Sequence, residues 1–327
     1  MFTAVTDPSQ VAEARRLVSA LAGRIGLPRG RIDQVAIVVT ELATNLLKHG
    51  GGGSIHAIEC DDADGTGLEL MALDRGPGIT DADRCMQDGY STAGSPGNGL
   101  GAVARLADTV SIYSQSGQGC AIMVRFIERP PPGTRTLMGA ALAPYPNEPV
   151  CGDNWTWKNS VNGHTIMLVD GSGHGIEAAR AAETAIRTFS QNADVACEDL
   201  VERMHRALAP TRGGALAVAR IDTAARVVRF VGVGNISAVL VNAGKPRHMV
   251  SHNGTAGHVA PRIREFTYDF TGDPLVILHS DGLTSRWDLA SYPGLAAQHP
   301  ALTAGVLLRD HRRGRDDASV VAIRSAM

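Results

Sequence analysis

Aromatic residues are scarce in this sequence of 327 residues, at 4% of the total. Proteins that stack single-stranded bases need such rings, so their scarcity argues against that class. An excess of one charge is also missing, because 31 Lys and Arg residues stand against 33 Asp and Glu residues. The sequence therefore has no basic surface suited to a nucleic-acid backbone or an anionic membrane. We expect proteins and small molecules as partners, with no nucleic acid and no membrane.

Paired cysteines and long apolar runs are lacking as well. The five cysteines include no C-x-x-C pair and no zinc-type spacing with histidine, so we expect reduced structural thiols. No apolar run reaches the ~18 residues that span a bilayer. The start, M-F-T-A-V-T-D-P, also lacks the basic and then apolar pattern of a secretory signal. These absences predict a cytoplasmic protein.

The length is suited to two domains, each large enough to bury its own core. Three prolines and a glycine in R-P-P-P-G-T-R, residues 129–135, favour an extended and solvated connection. We therefore predict a first domain over residues 1–128, a linker over 129–135 and a second domain over 136–327. Both domains are expected to be of the α/β (α+β) class.

Helices and strands alternate in the first domain. Asp7-Pro8 is a helix-start signature, and the helix that it begins should end at Gly26. Apolar residues at helical spacing predict a second helix from about residue 29 to the four glycines that begin at Gly50. The later pattern predicts strands at 54–60, 67–73, 110–115 and 120–126 and a short helix at 100–107. Helices on one side of a mixed sheet would form an α/β sandwich.

Strands dominate the second domain. Apolar runs predict strands at 137–143, 165–169, 215–221, 227–231, 238–241 and 275–278. Helical patterns cover residues 176–190 and 198–208. Two sheets flanked by helices would bury these runs.

Three segments of the first domain suit one nucleotide. In E-L-A-T-N-L-L-K-H, Glu41 and Asn45 are four residues apart and share a helix face, which is either an Mg²⁺ and phosphate site or ordinary exposed surface. In D-R-G-P-G-I, Asp74 follows a strand and can accept from an adenine amino group. In G-N-G-L-G, residues 97–101, glycines precede a helix whose amides can bind phosphate. This spacing is neither a Rossmann fingerprint nor a P-loop.

In this order, the three segments resemble the N, G1 and G2 boxes of the GHKL ATPase superfamily over residues 8–127, which implies a Bergerat α/β sandwich. The sequence M-Q-D-G-Y-S-T at 86–92, with the later R-L-A-D, is similar to RsbT-type switch kinases, which phosphorylate Ser or Thr on STAS-domain proteins. The resemblance implies ATP and Mg²⁺ as cofactors, with Glu41 as the base or orienting carboxylate, Asn45 as an Mg²⁺ ligand and Asp74 on adenine. It places four glycines around the nucleotide: Gly78, Gly97, Gly99 and Gly101. Cys120 departs from the pattern, because the superfamily often has Thr there.

Aspartates recur beside the apolar strands of the second domain, at Asp153, Asp170, Asp281 and the pair at 316–317. An isolated Asp-Gly is usually a turn, but clustered carboxylates repel one another unless cations neutralise them. Oxygen ligands without His or Cys suit Mg²⁺ or Mn²⁺, and two such ions can promote phosphate-ester hydrolysis.

The motif D-G-S-G-H-G, residues 170–175, and the order of these aspartates resemble the PPM-class metal-dependent Ser/Thr phosphatases over residues 137–323, and more closely their SpoIIE and RsbX branch. The resemblance implies an αββα sandwich that binds two Mn²⁺ or Mg²⁺ ions. By this resemblance, Asp170 bridges the two ions and the Gly171 carbonyl binds one of them. Asp281 and Asp316 bind the other ion, and Asp153 contacts metal directly or through water. Asp317 stands where many relatives have Asn, and Ser172 stands where some have a catalytic His. His174 is either a proton donor or a loop residue.

Together the two resemblances imply a bifunctional regulator of bacterial partner switching. Its first domain would be a Ser/Thr protein kinase and its second domain a metal-dependent phosphatase, both acting on a STAS-domain protein. In the alternative, the first domain binds ATP and sequesters a partner, such as a sigma factor or the STAS protein, without transferring phosphate. A metabolic two-domain enzyme with a small-molecule phosphate substrate is disfavoured, because no substrate-specific residues are recognisable.

Overall fold

The computed structural model describes residues 1–79, 99–129, 136–160 and 163–325. They form two compact units, Met1–Thr134 with Ala297–Arg309 and Arg135–Ala296 with Asp310–Met327. The sequence pattern assigned residues 297–309 to the second domain, whereas their contacts group them with the first unit. Gly97, the segment 86–92 and the predicted linker beyond Arg129 lie outside the described residues.

Helices and strands are numbered here in chain order. The described helices are α1 (Pro8–Arg24), α2 (Arg29–His49), α3 (Gly99–Leu106), α4 (Ile176–Asn192), α5 (Cys197–Leu208) and α6 (Pro300–His311). The strands of the first unit are β1 (Phe2–Val5), β2 (Gly53–Asp62), β3 (Gly65–Asp74), β4 (Thr109–Ser114) and β5 (Cys120–Arg129). The strands of the second unit are β6 (Thr136–Ala143), β7 (Asp153–Ser160), β8 (Gly163–Gly171), β9 (Gly214–Asp222), β10 (Val227–Val233), β11 (Ser237–Asn242), β12 (Lys245–Met249), β13 (Phe266–Asp269), β14 (Leu275–His279) and β15 (Ala318–Ser325).

The start of α1 follows from a reciprocal cap. The Asp7 carboxylate accepts from the Ser9 N–H at 2.9 Å, and the Gln10 side chain accepts from the Asp7 N–H at 2.9 Å. These bonds satisfy amides that the first helical turn leaves without partners. The predicted end is confirmed, because Gly26 leaves the helix with a φ of +87°.

The five strands of the first unit form one sheet in the order β1-β2-β3-β5-β4. The prediction of a mixed sheet is wrong, because every neighbouring pair is antiparallel. The connection through α3 leads from β3 to the edge strand β4, and β5 then returns between them and runs antiparallel to both. Strand β1 was not predicted from the sequence, since it has only four residues at the edge of the sheet.

Both faces of this sheet are buried. Leu68, Leu70 and Ala72 of β3 belong to the core formed with α1 and α2. Met71 and Leu73 alternate with them and are buried too, so they face the other side. That side is covered by α6, where a Cβ added to Gly305 would lie 2.9 Å from Met71 Sδ. The apolar composition of α6 has no amphipathic pattern, so sequence periodicity did not predict this helix.

The second unit contains two five-stranded antiparallel sheets, β13-β10-β9-β8-β7 and β12-β11-β14-β15-β6. Helices α4 and α5 cover the first sheet and share a core with it, which includes Phe189, Met204 and Val218. The mixed α/β fold class predicted from the sequence is confirmed. The mostly polar strand β7 was not predicted, and Asp153 is its first residue.

No helix among the described residues combines the length and the apolar character that a membrane crossing requires.

Candidate functional site

The first candidate site lies in the first unit, where α2 meets the N-terminus of α3. A Cβ added to Gly99 would lie 3.5 Å from Glu41 Oε2 and 3.6 Å from Asn45 Nδ2. The predicted carboxylate and carboxamide therefore lie beside the first amides of α3. The positive end of a helix dipole and its open N–H groups attract phosphate, so the three residues suit a nucleotide with its Mg²⁺.

Asp74 lies at the end of β3, against the C-terminus of α2. Its Oδ1 atom accepts from the Gly76 N–H at 2.8 Å and from the Cys120 N–H at 3.2 Å. Its Oδ2 atom has no hydrogen-bond partner among the described residues and can accept from an adenine amino group. A Cβ on Gly50 would lie 2.6 Å from Asp74 Cβ, so this approach requires glycine. Because Cys120 contacts Asp74 through its backbone N–H, this hydrogen bond does not depend on whether residue 120 is Cys or Thr.

Ser114 holds the loop that follows Asp74. Its Oγ atom accepts from the Ile79 N–H at 2.7 Å and donates to the Gly119 carbonyl at 2.9 Å. Gly78, with a φ of +78°, has no space for a side chain, because a Cβ would lie 2.4 Å from the Gln115 carbonyl oxygen. Ser114 was not predicted from the sequence, since a serine at the end of a strand carries no motif of its own.

These contacts order the candidate residues along α2. Gly50, which packs against Asp74, follows Asn45 by five residues, or roughly 7.5 Å of helix rise. Glu41 lies one further turn away, and Gly101 is buried in α3. The arrangement separates an end suited to adenine, at Asp74, from an end suited to phosphate and Mg²⁺, at Glu41 and Asn45.

The second candidate site lies in the second unit, where its two sheets bring aspartates together. Asp153 is paired with Asp170 across β7 and β8. Asp281 comes two residues after β14, and residues 316–317 come directly before β15, the partner of β14. A Cβ on Gly152 would lie 2.7 Å from Asp317 Oδ2, which shows that aspartates of the two sheets meet.

Two of these aspartates carry buried oxygens without partners. Asp153 and Asp317 are each 2% exposed. Asp153 Oδ2 accepts from Ser319 Oγ at 2.6 Å and Asp317 Oδ1 accepts from the Tyr145 N–H at 2.8 Å. The other oxygen of each carboxylate has no hydrogen bond among the described residues. A buried acceptor without a partner is costly, and a cation nearby would remove that cost.

The electrostatics of this cluster also favour a cation. Burial raises the pKa of Asp170 to about 9, and repulsion from Asp153, Asp281 and the 316–317 pair adds to the effect. Burial likewise raises the pKa of Asp153 to about 7, against hydrogen bonds from Ser280 and Ser319. The carboxylates thus resist ionisation together unless positive charge is supplied.

Asp170, Asp281 and Asp316 line a cavity of about 380 Å³. Asn235 Nδ2 donates to Asp281 Oδ2 at 2.7 Å and fixes its orientation. No three Asp, Glu, His or Cys side chains in the described ranges surround a single point at which one ion would be held. The donors are nevertheless all hard oxygens around a polar cavity, so the residues fit Mg²⁺ or Mn²⁺ with water completing the coordination. Asp316 faces this cavity, whereas Asp317 is buried behind it.

Two further predicted residues lie at the turn between β8 and α4. Gly171 must be glycine, because a Cβ would lie 2.2 Å from the Ala178 carbonyl oxygen. His174 is held by its surroundings: its Nδ1 atom lies 2.8 Å from Glu148 Oε1, and its ring stacks on Tyr145 at 4.1 Å between centroids. Glu148 was missed in the sequence analysis, because it lies 26 residues before His174 and outside every motif.

One site is suited to a nucleotide and the other is an acidic centre suited to divalent cations, and comparisons with known proteins identify the domains that carry them. Residues 4–126 match the family described as histidine kinase-like ATPase domain, and residues 161–326 match the family described as stage II sporulation protein E (SpoIIE). The SpoIIE match covers more than half of the chain. The chain therefore belongs to the SpoIIE family, with a histidine kinase-like ATPase domain before the SpoIIE region.

Individual relatives point to the same combination. The serine/threonine-protein kinase RsbT of Bacillus subtilis (strain 168) is 39% identical over 114 residues, which cover 34% of this chain and 84% of that protein. A solved structure described as the bacterial stressosome, a modular system adapted to control secondary messenger signaling, is similar with a TM-score of 0.54 at 26% identity, covering 58% of this chain and 99% of its own. The structure of RsbX in complex with magnesium is similar in fold, with a TM-score of 0.52 at 18% identity, covering 58% of this chain and 96% of its own.

Proposed function

We propose that this protein is a bifunctional regulator of bacterial partner switching, which phosphorylates and dephosphorylates Ser or Thr of a STAS-domain protein. The observation that supports it best is the presence in one chain of two separate sites suited to opposed chemistry. Glu41 and Asn45 lie beside the N-terminus of α3 in the first unit. Five aspartates, two of them with buried unpartnered oxygens, meet in the second.

In the proposed kinase reaction, Asp74 binds the adenine amino group and Asn45 holds the Mg²⁺ that accompanies the phosphates. The amides at the start of α3 bind phosphate oxygens. Glu41 accepts the proton of the substrate hydroxyl. The hydroxyl oxygen attacks the γ-phosphorus at the same time, and ADP leaves. General-base assistance of this kind contributes about 10²- to 10⁴-fold in rate.

In the proposed phosphatase reaction, Asp170, the Gly171 carbonyl, Asp281 and Asp316 would hold the metal ions, and Asp153 would contact them directly or through water. Bound Mn²⁺ or Mg²⁺ would supply charge for the phosphoryl oxygens and lower the pKa of water. A water oxygen attacks the phosphorus and the ester P–O bond breaks, while His174, which lies 2.8 Å from Glu148, donates a proton to the leaving oxygen of the substrate. The neutral seryl or threonyl hydroxyl then departs.

A rival function keeps the phosphatase and makes the first unit a nucleotide-dependent binder that sequesters a sigma factor or the STAS protein. The position of Glu41 favours phosphotransfer, because a protein that only binds ATP needs no carboxylate beside the phosphate-binding amides. The similarity to the serine/threonine-protein kinase RsbT also supports a kinase.

The proposal is tested by following one phosphosite through both reactions. The Asp281→Ala variant, with its phosphatase disabled, is incubated with labelled ATP and STAS-domain proteins from the same genome, and the labelled residue is mapped by mass spectrometry. The Glu41→Ala variant is then added with Mn²⁺ after ATP is removed. We expect it to remove the label from the mapped residue.

The matched control adds a Glu41→Ala, Asp281→Ala double variant, which should leave the label in place. Labelling by Glu41→Ala at the wild-type rate would favour the sequestering function. If phosphate is removed only from a different protein, the two units act on different substrates in separate branches of a pathway.

A further inference from the structure

A second cavity opens beside the acidic centre of the second unit. Its volume is about 680 Å³, and it shares Asp281 and Asp316 with the cavity of the predicted metal site. Three arginines line it, Arg286, Arg313 and Arg315, together with the hydroxyl residues 284–285. A substrate whose phosphate reached the aspartates would therefore place its neighbouring residues beside three guanidinium groups.

The guanidinium groups of these arginines are unengaged. Among the described residues, none of the three donates a side-chain hydrogen bond or forms an ion pair, and all three are exposed. Arg312, the residue directly before Arg313, differs because its guanidinium donates to the Pro144 carbonyl. A guanidinium group without a partner can donate two parallel N–H hydrogen bonds to the two oxygens of one carboxylate.

The backbone that carries the arginines is held next to the acidic centre. The Arg313 N–H donates to the Gly282 carbonyl at 2.8 Å, and the Thr284 N–H donates to the His311 carbonyl at 2.9 Å. The His311 ring in turn lies 2.9 Å from the Tyr292 hydroxyl. These bonds fix where the arginine segments begin relative to Asp281, so the cavity is part of the folded structure.

The charge and size of the cavity define its ligand. Once cations neutralise the aspartates, three positive side chains dominate its lining, so the ligand must be anionic. A cavity of this volume is roughly 9 Å across, which is the length of two to three residues of extended chain at about 3.3–3.6 Å each. The cavity thus suits a short acidic stretch next to a phosphorylated residue.

We propose that this arginine cavity is a docking subsite for Asp or Glu side chains within about three residues of the phosphorylated Ser or Thr in the protein substrate. This inference rests on the proposed phosphatase function and adds a sequence preference to it. The arginines touch the flanking segment of the substrate and leave the reacting phosphate to the aspartates and His174. Acidic flanks should therefore lower KM, with little effect on kcat.

The test compares the wild type with the triple variant Arg286→Gln, Arg313→Gln, Arg315→Gln in Mn²⁺. Three substrates are used: p-nitrophenyl phosphate, a phosphoserine peptide with glutamates on both sides, and the same peptide with glutamines. The control variant is Arg226→Gln, an exposed arginine in the turn between β9 and β10, at the end of the sheet away from Asp170. Binding of the unphosphorylated glutamate peptide is measured separately by fluorescence anisotropy.

We expect the wild type and the control to prefer the glutamate peptide by roughly tenfold in kcat/KM, since each exposed Arg–carboxylate pair contributes a factor of about two to five. The triple variant should lose this preference through a higher KM and should bind the unphosphorylated peptide about tenfold more weakly. Its rate of p-nitrophenyl phosphate hydrolysis should stay within twofold of the wild-type rate.

An unchanged preference, unchanged peptide binding or an equal fall in p-nitrophenyl phosphate hydrolysis would overturn the inference. If the wild type hydrolyses none of the substrates, the proposed phosphatase function fails, and the binding measurement still decides the fate of the arginine subsite.

Discussion

At the scale of single residues, Arg125 shows how the first unit tolerates charge in its interior. Its side chain is fully buried, with Nη1 2.8 Å from Asp62 Oδ1 and Nη2 2.6 Å from Glu69 Oε2. Burial raises the pKa of Glu69 to about 7, while Arg125 acts against that rise. Removing the arginine would take away the permanently charged group that both buried carboxylates contact.

We predict that Arg125→Ala lowers the free energy of unfolding of the first unit by about 3–5 kcal/mol, the usual cost of breaking a buried ion pair from one side. The measurement is urea unfolding, followed through the transition that an ATP analogue shifts. The matched control is Arg16→Ala on the exposed face of α1, which should change stability by less than about 0.5 kcal/mol. Equal losses in the two variants would contradict the assigned role of Arg125.

His164 gives the second unit a stability that depends on pH. Burial lowers the pKa of His164 to about 4, and its ring contacts Thr136 Oγ1 and Asn159 Oδ1. Between pH 4 and 6.5 the unfolded chain then binds more protons than the folded one, so stability rises with pH across this window. The contribution is complete above pH 6.5 and is lost as the pH falls.

We predict that acidification from pH 7 to pH 5 costs the wild type about 2 kcal/mol more than His164→Gln, which retains polar contacts but cannot take up the proton. Thermal unfolding of the two proteins at both pH values measures the difference. The aspartates of the second unit titrate in both proteins, so their effect cancels in the comparison. Parallel losses of stability would exclude His164 as the source.

At the scale of elements, local sequence patterns were enough to predict most helices and strands, whereas α6 was recognised only in the tertiary structure. Helix α2 repeats apolar residues on one face, and four of them, Val35, Val38, Leu42 and Leu46, are buried. Residues 300–308 of α6 are buried all round, so they have no polar face to mark a helical period.

We predict that Gly305→Leu destabilises the first unit by about 1–3 kcal/mol, because the new side chain must displace Met71 and Leu73 from the covered face of the sheet. Gly30→Ala in α2 serves as the matched control, since a Cβ there meets nothing within 4 Å. It should stabilise the protein by about 0.5–1 kcal/mol. Denaturant unfolding of both variants tests the pair, and a neutral Gly305→Leu would argue against the packing of α6 on β3.

At the scale of the whole molecule, the two sites belong to units with separate hydrophobic cores. We predict that Asp74→Ala weakens binding of an ATP analogue at least tenfold, while Mn²⁺-dependent hydrolysis of p-nitrophenyl phosphate stays within twofold of the wild type. Asp170→Ala should do the reverse, because it removes a proposed metal ligand. Calorimetry and a phosphatase assay on both variants measure this separation. Loss of both activities in either variant would show that the sites are not independent.

The amino-acid sequence by itself determined the fold class and the residue types of both sites. Glu41 and Asn45 are four residues apart on a helix, and the aspartates were predicted beside apolar strands. Such relations are local, so spacing and periodicity reveal them. The family resemblances followed from the same short motifs.

Only the tertiary structure decided which distant residues meet. The antiparallel order of the first sheet, the packing of residues 297–309 on it, the contact of Glu148 with His174 and the arginine cavity all join segments far apart in the chain. Their positions depend on how the two faces of each sheet are covered and on which strands become neighbours. Those choices minimise exposed apolar surface and unpaired polar groups over a whole unit, so no short window of sequence contains them.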